Sequence, residues 1–313
     1  KLAFSPSGLL IISALLCLYF ADLSISTAEP WQQLQRIAWG FMTPRYDAHL
    51  LNADSLLNSL FNTLAFALQG VSLAVIAGFM LSLLHKHFIV RSFCAFIRAI
   101  HELFWALLFM QLFGLSSLTG VLAIAIPFAG IFAKVFAEQY EETDPLPQQS
   151  IGSSGLNVFL YTTLPLAWPH LCSYTRYRLE CGLRSSAILG FIGLPTLGFH
   201  LHTFFSEGLY SLSALILYCF IALVLSMRWW LQAKLLPVYL VAAVVYLPPV
   251  AQFNLDLLVR FFSEDIIPAP LRNASAINED SLLATGQWLS MLGQQQILPG
   301  LFNTIVLSQI ALV

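Results

Sequence analysis

Charge is scarce in this sequence. Only 10% of the 313 residues are Asp, Glu, Lys or Arg and 58% are hydrophobic, whereas a soluble domain has about 25% charged residues. This balance argues against a water-soluble enzyme. The net charge of -2, from 14 basic and 16 acidic side chains, also argues against binding to nucleic acid. Apolar runs too many and too long for one soluble core predict an all-α, polytopic membrane helix bundle.

The sequence also lacks the motifs of catalytic and metal-binding sites. It contains no H-E-x-x-H and no glycine-rich P-loop, so we expect neither ATP hydrolysis on this chain nor a bound cofactor. The pairs His85/His87 and His200/His202 have i, i+2 spacing, which directs the rings to different helix faces and argues against a metal site. The cysteines form no C-x-x-C pair and are predicted to be small buried hydrophobic side chains. They are Cys17, Cys94, Cys172, Cys181 and Cys219.

Long apolar runs predict the membrane spans. Because positive side chains collect on the cytoplasmic side of a membrane, the basic loop 85–91 is predicted to be cytoplasmic. By parity, the polar loop 138–163 is cytoplasmic too. The segment 164–186 is polar for a span. It must nevertheless cross the membrane, because the next run, 209–227, ends at basic residues that predict another cytoplasmic end. The apolar runs are 8–22, 56–84, 92–113, 117–137, 209–227, 235–252 and a last one that starts at 301.

The order of elements at the start of the chain recurs near its end. The tetrapeptide Leu-Phe-Asn-Thr opens a span at 60–63 and again at 301–304, each time after an apolar anchor and an outside stretch. This recurrence indicates a tandem duplication. We interpret 1–234 as a first unit of about six spans and 235–313 as the start of a second unit in the same orientation. Because the chain begins at Lys1 and stops inside an apolar run, we expect it to be a fragment.

Two charged side chains lie inside the third apolar run. Arg98 and Glu102 have i, i+4 spacing, which predicts an ion pair on one helix face. An ionisable side chain at mid-bilayer costs roughly 2.5–3.5 kcal/mol, so a pair kept there is predicted to line a path or to fix helix packing around one. The alternative is a position near the cytoplasmic end, where Arg98 snorkels to the surface and Glu102 pairs with it.

The polar segment 164–186 carries a charged stripe. Arg176, Glu180 and Arg184 follow each other at intervals of four and share one helix face, whereas Arg178 points elsewhere. A stripe with net positive charge could guide an anion through the membrane. The alternative is a structural ladder that ties this helix to its neighbours.

Glycines interrupt the helical pattern after this stripe. Gly190, Gly193 and Gly198 flank Pro195 in AILGFIGLPTLGF. One interpretation is close helix packing or a bend near the mouth of a pathway. The other interpretation is a helix end followed by an outside turn.

Two stretches, 98–147 and 173–193, carry a family resemblance. They include RAIHELFWALLFMQLFGLSSLTGVLAIAIPFAGIFAKVF and SYTRYRLECGLRSSAILGFIG, and they resemble the permease subunits of phosphonate/phosphite-type ATP-binding-cassette (ABC) importers. The resemblance implies a type I importer permease in the bacterial inner membrane, here in a fused tandem form. It also implies separate ATPase subunits and a periplasmic or lipid-anchored solute-binding protein as partners.

The resemblance further implies a coupling loop. In that family, a cytoplasmic loop with Glu-Ala-Ala, a Gly after three more residues and a later Leu-Pro forms a short helix that docks on the ATPase. The Gly position corresponds to Gly155, which places Gln149 at the usual Glu, or to Gly152, which restores the usual distance to Leu-Pro. A plain solvated connector is the alternative. The implied coupling residues are Asp144, Pro145, Pro147, Gln149, Gly152, Gly155, Leu164 and Pro165.

These observations predict a permease subunit that moves a small anion, namely a phosphonate, phosphite or phosphate-like solute. The alternative is an ion-coupled secondary transporter or channel, in which Glu102 and Glu180 would carry the ion linkage. A membrane scaffold that binds a partner through 138–163 without moving a solute is a further rival.

Overall fold

The fold, in a computed structural model, is helical throughout the part that the structure describes. That part comprises residues 6–21, 29–143, 155–232, 235–245, 255–272 and 278–311, and it contains no strand. The helices are α1 Pro6–Phe20, α2 Pro30–Met42, α3 Ala53–Leu83, α4 Phe88–Ala99, α5 Glu102–Phe113, α6 Ser117–Glu142, α7 Leu156–Val158, α8 Leu164–Ile188, α9 Leu197–Ser206, α10 Tyr210–Trp230, α11 Leu236–Val245, α12 Leu255–Arg260, α13 Ala269–Arg272, α14 Glu279–Leu292 and α15 Leu298–Ala311. The predicted all-α fold is therefore confirmed.

Apolar helices long enough to cross a bilayer agree with the predicted spans. By length and composition, α3, α6 and α10 could each span a membrane, and α1 contains a shorter apolar helix. Two bent pairs raise the number of possible spans to five: α4 with α5, and Leu156–Ile192 with α9. The chain is therefore a multi-pass membrane protein. Of the predicted run 235–252, the structure describes the helix α11 as far as Val245.

The third predicted span is not continuous. Its helix breaks between α4 and α5, whose axes differ by 92°. Ile100 at the break is extended, and the ring Nδ1 of His101 accepts a hydrogen bond from the backbone N–H of Leu103 at 3.2 Å. The indole of Trp105 donates to the carbonyl of Ile97 across the bend at 3.2 Å. The run predicted as one span over 92–113 is therefore a bent pair of helices, in which capping contacts, and neither Gly nor Pro, accompany the break.

Contacts divide the chain into two compact units, Lys1–Trp31 with Leu258–Val313 and Gln32–Leu257. In the larger unit, α3 and α6 pack along each other and α8 lies against both. Small residues allow this approach, since a Cβ on Gly78 would lie 2.4 Å from Cβ of Phe132. In the smaller unit, α1 packs along α15, where the hydroxyl of Ser13 donates to Gln309 Oε1 at 3.5 Å.

Candidate functional site

Helix α8 is the polar span of the larger unit. One face is buried against α3 and α6, and Gly182 makes this possible because a Cβ there would lie 2.5 Å from Cγ2 of Val71. Most of the charged and polar side chains of the helix lie outside this face, Arg176, Glu180 and Arg184 among them. Since lipid solvates charged side chains poorly, the polar side must face protein or water. Buried on the packed face are Ala167, Leu171, Thr175, Leu179, Gly182, Leu183 and Ser186.

The charged stripe lies on the side of α8 that is turned away from α3. Arg176 and Glu180 are half-buried and Arg184 is exposed. Among the described residues, ion pairs within 4.0 Å join three other pairs of side chains: His101–Glu102, Lys134–Glu138 and Arg260–Glu264. The structure thus brings the three stripe residues onto one face, and it gives them no ion-pair partner within the part of the chain it describes.

Arg98 and Glu102 lie on different helices. Arg98 is exposed in the last turn of α4, whereas Glu102 begins α5 with a side chain only 14% exposed. The hydroxyl of Ser185 in α8 donates to Glu102 Oε1 at 2.8 Å, and His101 Nε2 lies 3.8 Å from Oε2. The prediction that Arg98 and Glu102 share one helix face was wrong because the break at Ile100 separates them.

Arg178 on α8 lies among aromatic rings and is held by a hydrogen bond. Its Nε–H donates to the hydroxyl of Tyr174 at 2.7 Å. Its guanidinium carbon lies 5.2 Å from the ring centre of Tyr174, 5.6 Å from Tyr177 and 5.7 Å from Phe128. We call these three rings the aromatic cage. The sequence carried a local signal for it, because Tyr174 and Tyr177 precede Arg178 by four residues and by one; the contact with Phe128 of α6 has no such signal.

Glycines allow a close approach where α8 is followed by α9. A Cβ on Gly198 would lie 1.7 Å from the carbonyl oxygen of Ala187, and Gly193 adopts a φ of 95°. The two segments meet at 50°. The structure therefore shows close packing at Gly198 and a bend of the chain, whereas a location at the mouth of a pathway or outside the membrane stays a prediction.

The repeated tetrapeptide fastens this turn. Asn62 donates from Nδ2 to the carbonyl of Pro195 at 3.0 Å, and Oγ1 of Thr63 accepts a hydrogen bond from the N–H of Leu197 at 2.9 Å. Thr63 is fully buried. The second copy of the tetrapeptide begins α15, where Asn303 and Thr304 are exposed.

Only the end of the predicted coupling loop is described. Asp144, Pro145, Pro147, Gln149 and Gly152 lie outside the described residues, whereas Gly155 precedes α7 with a φ of 63° and Leu164-Pro165 begins α8.

A cleft of about 550 Å³ lies between this segment and the ends of α3 and α6. His85, Lys86, Tyr140, Glu141 and Leu156 contribute to its lining. Burial, and next the nearby charge of Arg91, lower the pKa of His85. The cleft therefore has a mixed polar and apolar lining. Leu156, the first residue of α7, is 72% exposed beside it.

Metal-binding clusters were not expected from the sequence. Among the residues that the structure describes, no group of three or more His, Cys, Asp or Glu side chains could hold a metal ion. The five cysteines are free thiols, of which Cys94 and Cys172 are buried.

Comparison with known proteins connects this geometry to a family. A solved amino acid ABC transporter with histidines shares the fold, with a TM-score of 0.51 at 19% identity over 63% of this chain and 99% of that one. The phosphate-import permease protein PhnE of Mycolicibacterium smegmatis is 34% identical over 151 residues, which are 44% of this chain and 28% of that protein. This chain is homologous to ABC-transporter permeases. No family model matches it.

Two further permease homologues carry names from phosphorus chemistry. The phosphite transport system permease protein PtxC of Stutzerimonas stutzeri is 27% identical over 159 residues, 47% of this chain and 58% of that protein. A putative cryptic phosphonate transport system permease protein of Escherichia coli is 35% identical over 81 residues, 25% of this chain and 66% of that protein. The chain thus spans between about a quarter and two thirds of the curated relatives that it matches. The resemblance predicted from residues 98–147 and 173–193 is confirmed, and these relatives are permease subunits, which are not themselves enzymes.

Proposed function

We propose that this chain is a permease subunit of an ATP-driven importer that carries a small phosphorus oxyanion across the bacterial inner membrane. The observation that carries the proposal is sequence similarity to permeases named for phosphate, phosphite and phosphonate transport, on a chain with the fold of an ABC-transporter permease. ATP would be hydrolysed by separate ABC ATPase subunits. A periplasmic or lipid-anchored binding protein would deliver the solute.

The segment from Asp144 to Pro165 is proposed to couple the permease to its ATPase. Exposed Leu156 and the mixed cleft behind it support this role, because a short helix with an apolar side chain can dock in a partner's groove. Phe159 anchors the segment by edge-to-face packing on Tyr140, with ring centres 5.2 Å apart. A force on Leu156 would therefore reach the end of α6 through a direct contact.

The charged stripe of α8 is proposed to face the transport path or the second permease half. Arg176, Glu180 and Arg184 have no ion-pair partner among the described residues, and burying charges in lipid is costly. A water-filled path or a protein partner would solvate them. Glu102 is proposed to stabilise the wall of this half through its hydrogen bond with Ser185.

A tandem arrangement of two permease units, 1–234 and 235–313, is part of the proposal. Two packing contacts support it. Helix α11, the anchor before the second unit, packs on α3 of the first, whereas α1, the anchor of the first, packs on α15, which carries the second tetrapeptide. Each anchor therefore packs on a helix of the other repeat.

The proposal is tested by uptake into membrane vesicles that contain the full-length chain, its ATPase and its binding protein. Phosphite, phosphate and a simple phosphonate are supplied with and without ATP. We expect ATP-dependent uptake of at least one of them. A flexible Gly/Ser linker of equal length in place of 144–154 should abolish this uptake without lowering the amount of protein in the membrane.

The matched control replaces 273–277 with the same type of linker, because these residues belong to the stretch 253–300 that is predicted to lie on the outer side. Uptake should then be retained. Uptake that ignores ATP and stops with an uncoupler would contradict the proposal and favour an ion-coupled secondary transporter.

A further inference from the structure

Arg178 lies deep in the membrane-spanning part of α8. At 1.5 Å per residue, it stands about 21 Å from the first residue of the helix and about 15 Å from the last. Its cage partner Phe128 stands about 16 Å from the start of α6 and about 21 Å from its end. Because both positions are remote from the helix ends, the guanidinium has to be stabilised within the protein.

Among the described residues, the guanidinium has aromatic rings around it and no carboxylate within 4.0 Å. None of the ion pairs found in the described chain includes Arg178. Aromatic faces attract a cation without neutralising it, so the positive charge stays available to an anion. The Nε–H is used by Tyr174, which leaves the four Nη–H donors of the planar group, the geometry that binds oxyanions in bidentate fashion.

Arg178 is separate from the charged stripe. Residues two apart on a helix lie about 160° apart around its axis, so Arg178 projects almost opposite to Arg176 and Glu180. Ser185, seven residues on, lies within about 20° of Arg178 on the same edge. Because Ser185 holds Glu102, this edge of α8 combines a caged cation with a hydrogen-bonded carboxylate at the break between α4 and α5.

The cage is open on one side. Tyr177 is 55% exposed and Arg178 is half-buried, whereas Phe128 is only 4% exposed. The buried ring forms the floor, and Tyr174 fixes the guanidinium against it through a hydrogen bond. A fixed planar donor group with an open side differs from an arginine that merely snorkels, because its direction is set before any ligand arrives.

We propose that Arg178 in its aromatic cage is the contact for the solute oxyanion within the membrane. This inference rests on the proposed import function and names the residue that would recognise the phosphorus oxyanion there. The guanidinium would bind two oxygens of the solute. The stripe of Arg176, Glu180 and Arg184 would then contribute to the surrounding field or to the contact with the other half, and not to recognition.

The first test compares uptake of phosphite by the assembled transporter with Arg178→Gln and Arg178→Lys. We expect Arg178→Gln to lower uptake about 100-fold and Arg178→Lys about 10-fold, because lysine keeps the charge and loses the planar fork. Arg91→Gln is the matched control. Its guanidinium also lies over a ring, 6.0 Å from the centre of Phe88, but in an exposed position near the start of α4, and uptake should be unchanged.

The second test leaves the cage intact and uses the native thiol of Cys181, three residues beyond Arg178, as a reporter. The other four cysteines are replaced by serine, and a negatively charged methanethiosulfonate reagent labels Cys181. Saturating phosphite should slow this labelling in the otherwise unchanged protein and should have no effect after Arg178→Gln. A chain that keeps only Cys219 in α10 serves as the control, and phosphite should not protect it.

Two results would overturn the assignment: wild-type uptake by Arg178→Gln, or labelling of Cys181 that phosphite does not slow in a transporter that is importing phosphite. If Arg178→Gln fails to accumulate in the membrane, Arg178→Lys and the Cys181 protection decide. Absence of ATP-dependent uptake by the unmodified protein for all three solutes would instead refute the importer proposal itself.

Discussion

At the scale of single residues, glycines allow backbone segments of the larger unit to approach each other closely. A Cβ on Gly198 would lie 1.7 Å from the carbonyl oxygen of Ala187, and a Cβ on Gly190 would lie 2.1 Å from the backbone nitrogen of Phe199. The opposing atoms belong to the backbone, so they cannot rotate away as a side chain would. These positions therefore require glycine for space, irrespective of backbone conformation.

Gly198→Ala should destabilise the protein strongly. The new methyl group would collide with the backbone of α8, and overpacking typically costs about 1–3 kcal/mol, with larger values where the opposing atoms cannot move. Thermal unfolding is measured in detergent, and the readout is the amount of monodisperse protein that remains after heating. Gly286→Ala is the matched control, since no atom lies within 4 Å of its Cβ position in α14 and alanine favours a helix by up to about 1 kcal/mol. Equal stability of the two variants would contradict the close contact.

The charges show how far spacing along the chain predicts a site. The interval of four correctly placed Arg176, Glu180 and Arg184 on one helix face, because α8 is continuous there. The same interval failed for Arg98 and Glu102, because the helix breaks between them. Periodicity is informative only as long as the helix that carries it is unbroken.

At the scale of elements, the tetrapeptide 60–63, in the third turn of α3, holds the turn between α8 and α9 in place through hydrogen bonds. Asn62 and Thr63 bond backbone groups at Pro195 and Leu197. The hydrogen bond of Thr63 satisfies a buried N–H group that would otherwise have no partner in the membrane interior. The recurrence of the tetrapeptide at 301–304 predicts an equivalent turn for the second repeat.

Thr63→Val should loosen this turn. Valine preserves the shape and removes the acceptor, so the N–H of Leu197 loses its partner at a cost of about 1–3 kcal/mol. Thermal unfolding and proteolysis near Pro195 would report the loss. Thr304→Val is the control, because that hydroxyl is exposed and bonds only the carbonyl of Gly300 in its own helix; its effect should stay within about 0.5 kcal/mol. A similar loss in both variants would argue against the fastening contact.

At the scale of the whole molecule, the chain forms two compact units from segments that are distant in sequence. In the smaller unit, Ser13 bonds Gln309, and the rings of Phe20 and Phe302 meet edge to face with centres 6.0 Å apart. An anchor from the beginning of the chain and a span from its end therefore stabilise each other. Apolar helices of this kind associate through packing and scattered polar contacts.

Ser13→Cys combined with Gln309→Cys should therefore cross-link. The five native cysteines are replaced by serine, a protease site is placed within 147–152, and a short bifunctional thiol reagent is added in membranes. After cleavage, the two fragments should remain joined on a denaturing gel, because the side chains of Ser13 and Gln309 approach to 3.5 Å. Each single variant is the control and should release both fragments. Complete separation in the double variant would show that α1 and α15 do not pack together.

Composition and periodicity by themselves determined that the chain is an all-α membrane protein, where its main helices lie and that the charged stripe occupies one face of α8. These properties depend on residues within a few turns of one another. Only the tertiary structure decided which charges have partners: Glu102 bonds Ser185, 83 residues away in sequence, and Arg178 meets Phe128 of another helix. Such contacts arise from packing between distant segments, and no local pattern encodes them.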